Sequence, residues 1–75
     1  MDAETMNLLS IALIMLFGVI GPSFAIGNIG SSALKGISRN PEAASKIQTS
    51  MVLAIAFAEA LGIYALVVSL ILKFV

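Results

Sequence analysis

The sequence contains no cysteine, no histidine and no tryptophan, and it carries only four basic and four acidic residues. The absence of cysteine excludes disulfides and thiolate metal sites. Four scattered basic residues form no patch for nucleic acid. There is also no nucleotide-binding loop, no metal-ligand cluster and no nucleophile–base pair. The sequence therefore predicts a chain with no catalytic site of its own and no cofactor.

The chain instead has an excess of apolar residues. Hydrophobic residues make up 60% of its 75 positions and charged residues 11%, whereas about 25% are charged in an average soluble domain. Two segments, 7–34 and 51–72, contain almost no charge and are long enough to cross a hydrocarbon core of about 30 Å as helices. Asp2 and Glu4 argue against a signal peptide, because signal peptides begin with a basic region. We therefore expect two membrane-spanning helices.

The best turn signal lies between these segments, at Asn40-Pro41, because a residue that precedes proline is pushed out of helical geometry. The predicted fold is an all-α transmembrane two-helix hairpin. Helix 1 covers about 5–38, a polar loop 39–42 and helix 2 43–74. Pro22 lies inside helix 1 and is expected to bend it. Three basic residues near the loop place it on the cytoplasmic side and both termini opposite.

Glu59 lies near the middle of the second apolar segment, and its nearest charged neighbours in sequence are Lys46 and Lys73. A charge at that depth costs about 2.5–3.5 kcal/mol on insertion scales. A loop centred near residue 41 places Glu59 level with Ser23, with Ile26 one turn away, and no basic residue lies at that depth. Desolvation then favours the protonated acid. This suits a proton carrier that needs a second protein as its partner. The alternative is a neutral acid that only hydrogen-bonds a neighbouring group.

Small residues recur at helical spacing on both helices. On helix 1 they are Ser23, Gly27, Gly30 and Ser31, with Gly18, Ala25, Ala33 and Gly36 as further small positions. On helix 2 they are Ser50, Ala54, Ala58, Gly62, Ala65 and Ser69. Membrane helices associate through close packing, which small residues permit. Two interpretations stay open, namely packing of the two helices within one hairpin and packing of many hairpins in a ring.

Two stretches carry a resemblance to a known family. They are 36–42, Gly-Ile-Ser-Arg-Asn-Pro-Glu, and 58–64, Ala-Glu-Ala-Leu-Gly-Ile-Tyr. With them the chain resembles, over essentially its whole length, the c subunits of F-type ATP synthases, the proteolipids of the F0 rotor ring. The resemblance implies a homo-oligomeric ring whose Glu59 binds the transported proton. It also implies the a subunit of the stator and the gamma and epsilon subunits of the central stalk as partners, besides identical c subunits and membrane lipid. The most fitting location is an energy-coupling membrane such as a bacterial inner membrane.

The resemblance also assigns roles to other residues. Arg39, Asn40 and Pro41 correspond to the loop that contacts the stalk. Ring packing would fall to the small residues of helix 1, namely Ser23, Ala25, Gly27, Gly30 and Ser31. Family members usually carry alternating glycines there, so Ser23, Ala25 and Ile29 are departures from the pattern.

The ion-site network of the family suggests Tyr64 as a supporting residue beside Glu59. Sodium-carrying members have a glutamine on helix 1 and a serine after the acid, where this chain has Ile26 and Ala60. The expected ion is therefore a proton, and a sodium-coupled ring subunit is the alternative within the family. A structural or pore-forming hairpin of the holin type is the alternative from another class. A vacuolar-type proteolipid fits less well, because those chains mostly have four helices.

Overall fold

The computed structural model describes all residues from 1 to 75 and contains two long helices. Helix α1 spans Ala3–Arg39 and helix α2 spans Ala44–Phe74, with a short 3-10 helix at Pro41–Ala43 between them. There is no strand. The two helices pack against each other along their length as an antiparallel pair. The predicted all-α hairpin is thereby confirmed.

Helix α1 begins at Ala3 because Asp2 caps it. The Asp2 Oδ1 atom accepts a hydrogen bond of 2.8 Å from the Thr5 backbone N–H, and Glu4 places a second acid in the first turn. Carboxylates at a helix N-terminus satisfy free N–H groups and interact favourably with the helix dipole. The backbone hydrogen bond from Thr5, followed by that from its side chain, lowers the pKa of Asp2 below its usual value.

The chain reverses at Asn40 and Pro41. Asn40 leaves helical geometry, with φ −141° and ψ 78°, as expected for a residue that precedes proline. Its backbone N–H still bonds the Gly36 carbonyl at 3.0 Å and so closes the last turn of α1. Pro41 begins the 3-10 helix, where its missing N–H costs nothing. One residue outside a helix is therefore enough to connect two spans.

Two glycines of α1 lie in close contact with α2. A Cβ built on Gly18 would overlap the Cβ of Ala65, and one built on Gly36 would lie 3.2 Å from the Ile47 Cδ1. Ala33 on α1, and Ala58 and Ser69 on α2, are the buried residues of the single chain. Ala58 and Ser69 of the small-residue stripe on α2 are therefore covered by α1, as the hairpin interpretation of that stripe predicts, whereas Ser50 of the same stripe is exposed.

The small residues of α1 that recur at helical spacing, Ser23, Gly27, Gly30 and Ser31, do not form the contact with α2. Ser23, Gly27 and Ser31 are exposed, and a Cβ on Gly27 or Gly30 would meet no atom within 4 Å. The contact with α2 uses the other small positions, such as Gly18 and Ala33. The hairpin interpretation therefore holds for the stripe on α2 and not for this set on α1.

A hydrogen bond joins the helices at the end away from the loop, where the Asn7 Nδ2 donates to the Leu72 carbonyl at 2.9 Å. The hairpin measures 58 × 17 × 7 Å, so it exceeds a hydrocarbon core of about 30 Å and extends into water on at least one side. Both helices have a mean hydropathy of 2.3 over their most apolar window and are apolar enough to span a membrane. Helix α1 continues through Pro22 without interruption.

Candidate functional site

Glu59 lies on α2 about 20 Å along the helix from both Lys46 and Lys73, given a rise of about 1.5 Å per residue. Its side chain is exposed on the surface of the single hairpin. No side chain or backbone N–H donates a hydrogen bond to it, and it forms no ion pair. In a membrane this carboxyl group would face hydrocarbon or another protein rather than a partner in its own chain.

The carboxyl group borders an open groove of about 220 Å³ between the two helices. We call this the carboxyl groove. Ser23, Ile26, Pro22 and Val19 line it on α1, and Glu59 and Gly62 are among its residues on α2. Glu59 therefore lies beside Ser23 and Ile26, at the level given by counting outward from the loop.

The carboxyl groove is almost wholly apolar. Apart from Glu59, Ser23 carries the only polar side chain among its lining residues. The Ser23 hydroxyl is therefore the one side-chain hydrogen-bond donor that the groove offers to the carboxyl group. The groove also lacks the several oxygen ligands that a hard metal cation prefers.

The structure separates Tyr64 and Ala60 from this groove. Tyr64 is 65% exposed and lines none of the surface around Glu59. The step of five residues from Glu59 to Tyr64 places the two side chains about 140° apart around the helix axis, given 3.6 residues per turn. Ala60 likewise does not line the carboxyl groove. A contact between Tyr64 and Glu59 therefore requires two copies of the chain, and Tyr64 as a supporting residue stays a prediction.

The loop residues lie together at the opposite end of the hairpin from the termini. Arg39 is the last residue of α1, Asn40 is the turn residue and Pro41 begins the 3-10 helix, and all three are exposed. They form no ion pair with Glu42 or with any other residue. A protein that contacts this end would meet one cation, one amide and a rigid proline. Their role stays a prediction.

The small residues expected to pack a ring do not share one environment. Ser23, Gly27 and Ser31 are exposed, whereas Gly30 and Ala25 are partly covered. The first three are free to meet a neighbouring chain.

Sequence reasoning did not assign Gly62 and Pro22 to the site. Gly62 follows Glu59 by three residues and therefore shares its side of α2. A Cβ built on Gly62 would meet no atom within 4 Å, so this glycine leaves space beside the carboxyl group. The spacing of three residues between Glu59 and Gly62 is the sequence signal that could have assigned Gly62 to the site. Pro22 is the residue before Ser23, and its part in the groove depends on the rotation of α1, which the sequence does not define.

The family model for the ATP synthase C subunit matches residues 9–72 of this chain. An ATP synthase c subunit from Dehalococcoides mccartyi is 48% identical over 75 residues, which is 100% of this chain and 99% of the relative. Another c subunit, from Chloroflexus aurantiacus, is 44% identical, covering 95% of this chain and 93% of the relative. A third, from a Synechococcus species, is 44% identical over 91% of this chain and 84% of the relative.

Proposed function

This chain belongs to the family of ATP synthase c subunits, and from that premise we propose that it is a proton-carrying subunit of a rotor ring. It is an integral membrane protein, and Glu59 is the group that takes up and releases the proton. The observation that carries this proposal is the position of Glu59, midway along the span, beside an apolar groove and without a hydrogen bond in its own chain. Ionisable residues at such a depth are functional by default.

The proposed cycle needs two environments for Glu59. While the carboxyl group faces lipid or the neighbouring hairpin, it is protonated, because the surroundings offer almost nothing to stabilise a negative charge. At the stator, the a subunit would supply an aqueous path and a cation, and the acid would ionise. Rotation of the ring then separates uptake from release.

The energy available per step is small. A proton that crosses a potential of 100 mV releases about 2.3 kcal/mol. Several protons are therefore needed for each ATP, which a ring of identical copies supplies. Glu59 is the only carboxyl side chain within the apolar segments of the hairpin, which fits this division, since each copy then carries one proton per turn.

The same proposal gives an orientation. Lys35, Arg39 and Lys46 lie at the loop end, whereas the other end has only Lys73 as a basic side chain. The positive-inside rule then places the loop in the cytoplasm and the termini across the membrane. Arg39, Asn40 and Pro41 would there contact the gamma and epsilon subunits.

Two other functions make different demands on the groove. A sodium carrier needs oxygen ligands, and besides Glu59 the lining side chains offer one, the Ser23 hydroxyl, while Ile26 offers none. A pore-forming hairpin needs a polar face along its whole length, and here the side of the hairpin around Glu59 is apolar. Both observations favour the proton carrier.

Carbodiimide labelling of the assembled protein, mapped by mass spectrometry, tests the carrier and its ion together. Carbodiimides react with protonated carboxyl groups in apolar surroundings. We expect modification of Glu59 alone, at the same rate with and without sodium. Slower labelling in sodium would instead assign a sodium carrier. If Glu59 stayed unmodified, the protonated resting state would be wrong.

Glu59→Gln tests the coupling. The amide has nearly the shape of the protonated acid but cannot release a proton, so we expect an assembled ring that no longer supports ATP-driven proton pumping in membrane vesicles. Glu4→Gln is the matched control, because it makes the same chemical change in the first turn of α1, far from the groove. Proton pumping that survived in Glu59→Gln would contradict the proposed function.

A further inference from the structure

Ser23 brings a hydroxyl group into the carboxyl groove, where the only other polar side chain is Glu59. Ser23 is exposed on the single hairpin, so the contact between the two helices does not bury its hydroxyl group. That contact therefore does not account for a polar residue at this position, midway along an apolar span.

Ser23 and Glu59 lie at nearly the same height on the two antiparallel helices. Gly18 is level with Ala65, because a Cβ on Gly18 would overlap the Ala65 Cβ. Counting toward the loop, Ser23 follows Gly18 by five residues, and Glu59 precedes Ala65 by six. With a rise of about 1.5 Å per residue, the two Cα atoms differ in height by about 1.5 Å. The count outward from the loop gives the same level.

The Ser23 hydroxyl has no hydrogen-bond partner in its own helix. Two other hydroxyl groups of the chain, on Ser10 and Thr49, donate to the carbonyl group four residues earlier, each at 3.0 Å. Serine and threonine on helices often form this bond. Ser23 does not form it, and Glu59 takes part in no hydrogen bond either. Both groups therefore keep their full capacity for a partner across the groove.

Gly62 leaves room for the carboxyl group to turn. It follows Glu59 by three residues on the same side of α2 and borders the same groove. A Cβ on Gly62 would meet no atom within 4 Å, so no side chain fills this space. The other lining side chains are apolar and cannot donate a hydrogen bond. When the Glu59 side chain turns into the groove, the Ser23 hydroxyl is the one side-chain donor that it meets.

A hydroxyl group suits both states of a proton carrier. Its O–H can donate to the carbonyl oxygen of the neutral acid and, after the proton has left, to the same oxygen of the carboxylate. The hydrogen bond then needs no change of partner during the cycle. It also leaves the O–H of the acid free to pass its proton to another group. Lipid offers neither group a partner, so the bond has no competitor where the groove faces the membrane.

We propose that the Ser23 hydroxyl donates a hydrogen bond to the Glu59 carboxyl group of the same chain and holds it in the carboxyl groove. Ser23 is thus a positioning residue of the proton carrier. The proposal rests on the proposed function, because it describes how the proton-carrying group is oriented between uptake and release. It concerns the inside of one hairpin and not the contact between copies.

Infrared difference spectroscopy of assembled rings in lipid tests this bond. The C=O band of a protonated carboxyl group that is present in the natural chain and absent in Glu59→Gln belongs to Glu59. A hydrogen bond to that oxygen lowers the frequency of the band. We expect Ser23→Ala to shift the band to higher frequency, whereas Ser23→Thr keeps the hydroxyl and leaves the band in place. An unshifted band in Ser23→Ala would overturn the proposal.

Ser31→Ala is the matched control, because it makes the same change on the same helix at a residue that does not line the carboxyl groove. The band of Glu59 should not move in this variant, and an equal shift would mean that the effect of Ser23→Ala is not local. Ser23→Cys is a second variant in case Ser23→Ala does not assemble. A thiol is only a weak donor, so the band should again move to higher frequency, and an unmoved band would count against the bond.

Rings assembled from two kinds of chain show which copy supplies the hydroxyl. One chain carries Ser23→Ala with the natural Glu59, and the other carries Glu59→Gln with the natural Ser23. Every remaining carboxyl group in the groove then lies in a chain that lacks the hydroxyl, while neighbouring copies can have it. We expect the band at the same high frequency as in Ser23→Ala alone. A partial return to the lower frequency would mean that a neighbouring copy forms the bond, and the contact within the hairpin would be overturned.

The same spectra separate this inference from the proposed function. If natural rings at neutral pH gave no protonated-carboxyl band that disappears in Glu59→Gln, the protonated resting state would be wrong, and the role of Ser23 would fall with it. If the band is present but unaffected by Ser23→Ala, the proton carrier stands and only the role of Ser23 is overturned.

Discussion

The contact between Gly18 and Ala65 gives the sharpest prediction about the stability of the hairpin. A methyl group on Gly18 would overlap the Cβ of Ala65, and the two helices must then separate locally. Overpacking of this kind typically costs about 1–3 kcal/mol. Replacing glycine by alanine inside a helix also gains about 1 kcal/mol in helix propensity. We therefore expect Gly18→Ala to destabilise the hairpin by up to about 2 kcal/mol.

Gly21→Ala is the matched control for this prediction. Gly21 lies on the same helix, and a Cβ there would meet no atom within 4 Å. Both substitutions gain the same helix propensity. The difference between their effects on the stability of the hairpin is therefore the steric cost at Gly18, about 1–3 kcal/mol. Ala65→Gly should rescue Gly18→Ala, because it removes the methyl group that the new one would overlap.

The assay is helix separation in detergent. Dyes on Ala3→Cys and Phe74→Cys report the distance between the ends of α1 and α2 by energy transfer, while sodium dodecyl sulfate is titrated against a mild detergent. Circular dichroism checks that both helices persist. A double-mutant cycle on Gly18 and Ala65 should give a coupling energy of about 1 kcal/mol or more. Additive effects, or equal stability of Gly18→Ala and Gly21→Ala, would refute the close approach at this level.

Three further predictions concern other parts of the hairpin. Asn7→Leu removes the hydrogen bond to the Leu72 carbonyl and should cost about 0.6–1.7 kcal/mol in the same titration; an unchanged midpoint would mean that the bond does not form in the membrane. Ser69→Ala should be neutral or slightly stabilising, because the buried Ser69 Oγ has no hydrogen-bond partner, so a marked loss of stability would reveal a missed partner. Hydrogen bonds from Thr5 lower the pKa of Asp2. The ionised Asp2 therefore stabilises the first turn fully at a pH above the ordinary pKa of aspartate, and this stabilisation is lost as the pH falls through the lowered pKa. Amide exchange at Thr5, corrected for its intrinsic pH dependence, should show protection lost over that acidic range in the natural chain and absent throughout in Asp2→Ala.

The height of Glu59 relative to helix α1 could be predicted from the sequence because few quantities determine it. Asn40 and Pro41 leave little freedom in the position of the turn, and both helices rise by the same amount per residue. Counting outward from the turn therefore places Ser23 opposite Glu59. An error of one residue in the turn would shift the level by only about 1.5 Å.

The rotation of each helix about its own axis could not be predicted in the same way. Helix α1 has small residues on two sides, Gly18 and Ala33 on one and Ser23 and Gly27 on the other, and either side allows close packing. The contact with α2 selects the first. The groove of about 570 Å³ that Ser32 and Ser50 line was missed for the same reason, since these two residues are brought to one groove only when both rotations are known.

The glycines that the hairpin does not use argue for contacts beyond one chain. Of the six glycines, Gly18 is required by its contact with α2, and a Cβ on Gly36 would lie close to the Ile47 Cδ1. Cβ atoms on the other four, Gly21, Gly27, Gly30 and Gly62, would meet nothing within 4 Å. Each glycine inside a helix costs about 1 kcal/mol relative to alanine, so a solitary hairpin would gain about 4 kcal/mol from four replacements. A packed ring gives these positions a reason, because close approach of neighbouring copies excludes side chains there. The test follows directly: alanine at Gly27 should stabilise the separated hairpin and weaken the assembled ring, a reversal of sign that packing within one chain does not produce.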